Sequence, residues 1–598
     1  MNGWRATINS KLEVTSDLLT LPGLLDLRQR RDALFEIHSI LRSADSLRPD
    51  EAFDELVKLY ALWLNIGPVA FDAAREHDPS LRLSSGAFER ATECLGPLLI
   101  EGRNDTGADL FQELADVGVR AGLGQYFTPA PVARAMATYL APKPGETWID
   151  PFCGSGLLVG EIALAADGPV QLWGIDRDPR VLRLAALEAE IHHPDSSLVA
   201  VQGNALWPLQ ELKGRLGAPP DGFDGVVTNP PFGADVHRDD NKGYDDFRLV
   251  ANGSTPLEIL GLERSIELLR PGGRVGIVLP QSVVSNRGLV RVREFLLDTC
   301  RLDAVLSLPP ATFGPFRGVG KAVVVFATKR PTSPDRVATA FAVATEVGWD
   351  GTGRHTGEEN VTETALALAS DDPPPSVARV EERAGLARNL SPEWHLRPRA
   401  IGTALRDLSL AIFTGRTPGR AAYVDGEANP NSCYRMLKVG DLTGSGINWS
   451  PGERSHASFS RPVTTKLLSL GDIALTAAAH HPRYIGAKVD MVDVIPDQYG
   501  GRVLPCAEVL VIRPDPAKVD PVVLLLWLRS DEGRAALQAC VTGQTAHLYP
   551  DDVAQIVVPK TVLDADHSDA VDLLRKSLRL RRDSELAGTA ARETFTGR

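Results

Sequence analysis

From Thr147 to Lys329 the sequence alternates short apolar runs with amphipathic segments, and this alternation constrains the fold more than any other feature. The runs TWIDPF, QLWGID, SLVAVQGNA, DGVVTNPPF, GRVGIVLP and KAVVVFATK are separated by segments such as LLVGEIALAA, PRVLRLAALEAEIH and LEILGLERSIELL. Strands that are apolar throughout need cover on both faces, and intervening helices supply it. The expectation is an α/β chain with a doubly wound sheet, its ligands at the carboxyl ends of the strands. The sheet is expected to end near Lys329.

The flanks have different textures. Residues 1–115 place apolar residues three and four apart, as in LLDLRQRRDALFEIHSILR and DELVKLYALWLN, which predicts a helical N-terminal domain. Within it PDEAFDELVK is spelled like a metal-nuclease motif but has a helical period, and it reads as a solvated helix. The α/β domain spans 116–355. Residues 356–400, which include SDDPPPS, read as a linker region. Short strands and turn glycines over 401–565 predict an α+β domain, and 566–598 a closing helix that could serve as a dimer or spacer arm.

The 598 residues allow several domains with real cores. No run approaches the ~20 apolar residues of a membrane span, and MNGWRATINSKLEV lacks a secretion signal, so no membrane partner and a cytoplasmic location are expected. Cys94, Cys153, Cys300, Cys433, Cys506 and Cys540 lie far apart and read as reduced thiols. Neither they nor the pairs His192-His193 and His480-His481 have zinc-ligand spacing, so no metal is expected. A net charge of -13 argues against coating nucleic acid over the whole surface but leaves room for a local basic channel.

Three strand ends carry chemistry. In DPFCGSG, Asp150 ends the first strand, and Gly154 and Gly156 let the backbone approach a ligand; with Gly160 they miss the dinucleotide spacing. Asp176 ends the next strand, 20 residues after Gly156, where a ribose diol would be bound, which raises the case for an adenosine-type cofactor. In GVVTNPPFG, the side-chain oxygen of Asn229 and the carbonyl of Pro230 can accept both hydrogens of an exocyclic amine. Phe232 can then stack on the heterocycle, as enzymes that extrude a base require. GPFRGVGK is no phosphate loop: Pro315 replaces its first glycine and Ala322 follows its lysine, so no ATP motor is expected.

GQYFTP (Gly124 to Pro129), DPFCGSG, GID and NPPF, in that order, resemble the motifs of amino-group DNA methyltransferases of the γ arrangement, above all the methylation subunit of type I restriction-modification systems. The resemblance covers roughly 110–354 and implies a Rossmann-like methyltransferase sheet that uses S-adenosyl-L-methionine on adenine N6. It implies that Gln125, Tyr126, Phe127, Thr128 and Pro129 hold the methionine part of that cofactor. Asp150, Gly154 and Gly156 would line its amino acid end, Asp176 its ribose and Asn204 its adenine, with Asn229 beside it. Asn204 stands where the family usually has aspartate. Asn229, Pro230 and Phe232 would grip the target adenine, with Phe313 as a second stacking ring and Phe316 as its rival.

LSLAIFTGRTPGR, MLKVGDLTGSGINWS, LLSLGDIALTAAA and VTGQTAHLYPDDVAQIVVPK resemble a target-recognition domain of a type I specificity subunit. That likeness implies double-stranded DNA as partner, with Thr414, Arg416, Arg420, Lys438, Arg483 and Lys488 as candidate contacts. One recognition domain fused to a methylation domain departs from the family plan. It suggests a self-sufficient enzyme, a homodimer, or a restriction or specificity partner chain. The alternatives are an RNA or protein-glutamine methyltransferase and a catalytically silent DNA-recognition scaffold.

Overall fold

The computed structural model describes residues 33–596 except 34–35, 38, 44–45, 101–127, 194, 252, 315–320, 331–337, 382, 397–400, 425–432, 451–453, 460–461, 480–483 and 542–545. The chain divides into two compact units at Leu396/Arg397.

The first unit is built on a nine-stranded sheet. Its strands are β1 (Thr147–Asp150), β2 (Gln171–Asp176), β3 (Ser197–Gln202), β4 (Phe223–Thr228), β5 (Leu269–Pro280), β6 (Cys300–Ser307), β7 (Ala322–Lys329), β8 (Thr339–Val343) and β9 (Ala378–Val380). Their spatial order is β9-β8-β6-β7-β5-β4-β1-β2-β3. The block β5-β4-β1-β2-β3 is parallel, and β7 lies antiparallel between β5 and β6. The chain runs from β1 outward to β3, then returns to place β4 on the other side of β1. Such a reversal opens a crevice at the strand ends.

Successive strand residues enter opposite cores, as the period of two requires. Trp148, Val227, Val278 and Val324 pack on one face with α4 (Ala130–Leu140) and α5 (Leu157–Ala165). Ile149, Val226, Ile277 and Val325 pack on the other with α7 (Leu209–Leu216), α8 (Leu257–Leu268) and α9 (Val290–Thr299). The fully buried Trp148 needs a neighbour without a side chain: a Cβ on Gly225 would stand 2.2 Å from its indole. Gly225→Ala is therefore expected to destabilise the protein by about 1–3 kcal/mol through overpacking. An unchanged melting temperature would show that the indole can move aside.

Helices α1 (Pro49–Ile66), α2 (Phe71–His77) and α3 (Ser85–Ile100) precede the sheet. PDEAFDELVK begins α1, where Lys58 pairs with Glu55 at 2.7 Å. These helices share one core with α6 (Pro179–His192) through Leu56, Tyr60, Leu95, Val181 and Leu184, so the expected N-terminal domain is part of the first unit.

Two expectations are corrected. The sheet does not end near Lys329, because β8 and β9 extend it through parallel pairing with β6 and an antiparallel edge. Nor is 356–400 a linker as far as Leu396. There α10 (Val361–Ala369) buries Val361, Ala365 and Leu368, and SDDPPPS is the turn leading to the partly buried β9. After α11 (Arg383–Arg388), α12 (Pro392–Leu396) lays Trp394 and His395 on the sheet, His395 stacking on Phe341 at 4.1 Å. Proline density signals only a turn here; the apolar residues around it find a core.

The second unit contains two four-stranded sheets. One is β10 (Ser409–Thr414), β17 (Val509–Pro514), β14 (Ile473–Thr476) and β15 (Val489–Met491), in that spatial order. The other is β11 (Tyr423–Val424), β13 (His456–Ser458), β12 (Cys433–Leu437) and β16 (Val503–Pro505). Buried Asp472 binds Arg513 through two 2.7 Å contacts. Asp490 accepts the backbone N–H groups of Thr443, Gly444 and Gly446. The unit closes with α13 (Pro521–Arg529), α14 (Asp531–Gln538) and the long α15 (Ser568–Thr596), which buries Val571 and Leu578 while leaving Leu573 and Leu580 exposed.

Candidate functional site

The parallel register sets Asp150 beside Gly174, so β1, β2 and β4 deliver Asp150, Asp176 and Asn229 to the same sheet edge. Asp150 is buried; its Oδ1 accepts the Thr228 hydroxyl at 2.6 Å and the Phe152 N–H at 2.9 Å. It does not cap α5, whose N-cap is Gly156. Gly156 takes φ +85 and faces Ala185, 2.8 Å from any added Cβ, so no larger residue fits between α5 and α6.

Gly154 donates its N–H to Asp176 Oδ2 at 3.0 Å, and Asp178 donates to Oδ1 at 2.9 Å. The two expected cofactor loops are thus tied to one another. Asn204 follows β3; its Oδ1 closes a turn on Leu206 N–H, and the preceding Gly203 bonds to the Asp176 carbonyl. Thr128 and Pro129 lead into α4, whose first turn bonds to the Pro129 carbonyl. Gln125, Tyr126 and Phe127 lie outside the described residues.

Beyond β4 the two prolines turn the chain. Asn229 and Pro230 are buried, Pro231 and Phe232 half-buried, and the exposed Gly233 has φ +72. The Phe232 ring meets that of Phe313 edge to face, with centroids 6.2 Å apart and planes at 76°. Two aromatics 81 residues apart in sequence therefore share one place, though Phe313 is only 5% exposed. Phe316 lies outside the described residues.

Sequence reasoning missed two supports. Thr228 holds Asp150; its signal was a hydroxyl closing an otherwise apolar strand. Glu258, in the first turn of α8, accepts the Gly233 N–H at 3.2 Å, while Gly261 one turn later would bring a Cβ 3.1 Å from Pro230. Helix α8 thus buttresses the Asn229–Gly233 turn, a contact no local pattern announces.

Burial pushes the Asp150 carboxyl up to about 7, with nearby Asp176 adding to the rise and the Thr228 hydroxyl and Phe152 N–H opposing it. Burial likewise raises Asp176 and Glu258. Two buried carboxylates beside glycine-opened backbone fit a ligand that carries an ammonium and hydroxyl groups. Among the described residues no group of His, Cys, Asp and Glu could hold a metal, and no helix is long and apolar enough to cross a membrane.

In the second unit Arg416 and Arg420 are exposed, and Lys438 and Lys488 are half-buried. Arg416 N–H bonds to the Pro505 carbonyl and Cys506 N–H to the Leu437 carbonyl, so Arg416 and Lys438 flank the same dipeptide. Lys438 also lies 5.4 Å from the Tyr423 ring centroid. The Thr414 carbonyl accepts Lys466, and Arg483 lies outside the described residues.

Residues 110–352 match the N-6 DNA Methylase family. The chain is 30% identical over 251 residues to the type I restriction enzyme StySPI methylase subunit of Salmonella potsdam, covering 38% of this chain and 45% of that one. It is 29% identical over 251 residues to the EcoKI methylase subunit of Escherichia coli strain K12, with the same coverages. The chain spans just under half the length of these curated relatives. The solved type IIG restriction endonuclease BpuSI aligns with 92% of this chain and 72% of its own, at 14% identity and a TM-score of 0.44.

Proposed function

We propose that this chain, which carries an N-6 DNA methylase domain over residues 110–352, methylates the N6 atom of an adenine turned out of double-stranded DNA, within a restriction-modification or phage-defence system. The observation that carries this reading is the meeting of Phe232 and Phe313 beside Asn229, at the same sheet edge as Asp150 and Asp176. Bound S-adenosyl-L-methionine supplies an electrophilic methyl group. Asp176 takes its ribose hydroxyls, Asn204 its adenine, and Asp150, Gly154 and Gly156 its amino acid end, with the Gln125–Pro129 segment against the methionine part.

Asn229 Oδ1 and the Pro230 carbonyl accept the two amine hydrogens, which directs the nitrogen lone pair away from the ring plane. No general base is required, because the amine loses its proton after it has become cationic. Stacking on Phe232 and Phe313 offsets the few kcal/mol that extruding the base costs. Polar loops of the second unit read base edges, with Arg416, Arg420, Lys438, Arg483 and Lys488 contacting DNA. Exposed Leu573 and Leu580, seven residues apart, support α15 as an arm for a second copy or a partner chain.

The test is to express the chain alone in a methylation-free bacterial host and sequence the host DNA by a method that detects methyladenine directly. One modified motif is expected. Soluble chain that binds S-adenosyl-L-methionine but modifies no DNA, even with a specificity partner supplied, would overturn the reading.

A further inference from the structure

Residues 308–314, which carry Phe313, follow β6, and a single carboxylate holds both the end of β6 and the residue before β7. Glu393 Oε1 accepts the hydroxyl of Ser307, the last residue of β6, at 2.5 Å. The same oxygen accepts the ammonium of Lys321, the residue before β7. Oε2 accepts the Ser391 hydroxyl at 2.6 Å and the Gln281 amide at 3.4 Å. Gln281 in turn donates its backbone N–H to the Lys321 carbonyl at 2.9 Å. Glu393 therefore ties the ends of β5 and β6 and the start of β7 to one point.

That point is itself anchored. Helix α12 is fixed by buried Trp394, by His395 stacked on Phe341, and by a 2.8 Å bond between His395 Nε2 and the Asn389 carbonyl. Burial pushes the Glu393 carboxyl up, but the Lys321 ammonium and the Ser307 and Ser391 hydroxyls outweigh it and hold the group below the usual glutamate range. The carboxylate is thus charged at neutral pH. Farther along, the segment is pinned from the other side by the Trp349 indole N–H on the Ala311 carbonyl at 3.2 Å.

We propose that Glu393 is a positioning residue for target-base capture: by holding Ser307 beside Lys321 it fixes residues 308–314, which present Phe313 to Phe232. The inference rests on the methyltransferase reading above and adds to it a residue from outside the matched domain, in a stretch whose composition suggests a linker. Loosening the clamp frees Phe313 to swing, which weakens the hold on the extruded base and leaves Asp150 and Asp176 untouched.

The experiment compares full-length wild type with Glu393→Gln, which keeps the side-chain volume and removes the charge, and with Ser307→Ala, which releases one anchor. On DNA carrying the motif found in the host, Glu393→Gln is expected to raise KM about fivefold, the scale of a part-buried ion pair with added hydrogen bonds, with kcat and cofactor affinity within about twofold. Fluorescence of 2-aminopurine at the target position should rise less than with wild type. Ser307→Ala should move KM in the same direction by less, and it carries the test if Glu393→Gln fails to fold. Hydrogen exchange over 308–314, measured without DNA, should be faster in both. Unchanged exchange, or loss of cofactor binding in proportion to activity, would overturn the proposal. If wild type methylates nothing even with a specificity partner supplied, the methyltransferase reading fails, while the exchange data still judge the clamp.

Discussion

Asn229→Ala is expected to reduce methyl transfer by roughly 10²–10³-fold, the usual consequence of removing one preorganised hydrogen-bonding group from a reacting centre. The substituted side chain would supply one of two acceptors that hold the adenine amine, and without it the lone pair is no longer aimed. Cofactor affinity should hardly change, because the carboxylates assigned to the cofactor stand on β1 and β2. The turn itself should persist, since Pro230, Pro231 and the Glu258 contact to Gly233 do not depend on the amide. Single-turnover transfer on the host motif, with calorimetric cofactor binding, separates the two effects. Asp176→Ala should behave in reverse, weakening cofactor binding first. Transfer by Asn229→Ala at near the wild-type rate would remove Asn229 from the amine.

The contrast between these variants reflects what a sequence can carry. Asp150, Asp176 and Asn229 are legible because each closes an apolar strand, and strand order alone then brings them to one edge. Phe313 is legible only through resemblance; its partnership with Phe232 is tertiary. Thr228, Glu258 and Glu393 act through hydrogen bonds to residues 78, 25 and 86 positions away, and spacing along the chain says nothing about such pairs. The linker reading of 356–400 failed for a related reason. SDDPPPS describes a turn correctly, but whether a turn separates domains depends on whether Leu368, Val377 and Trp394 find a core, which composition does not reveal.

With Asp150 at the cofactor's amino acid end, as proposed, cofactor binding is expected to depend on pH. Its carboxyl titrates near 7 in the free protein because burial disfavours the charge. Between its ordinary range and about 7 the folded state therefore binds more protons than the unfolded chain. The contribution of Asp150 to stability falls as pH rises through that window and levels off above it. A ligand bearing an ammonium group prefers the ionised carboxylate, so binding has the opposite slope. Affinity for S-adenosylhomocysteine, which carries the same amino acid end without the reactive methyl, is expected to rise about tenfold from pH 6 to pH 8. In the lower half of that range binding should release a proton, read by calorimetry in buffers of different ionisation enthalpy. Asp150→Asn should bind more weakly at pH 8 and lose the slope, since an amide cannot ionise. A slope that survives in Asp150→Asn would assign the titration to another group and take Asp150 away from the ammonium.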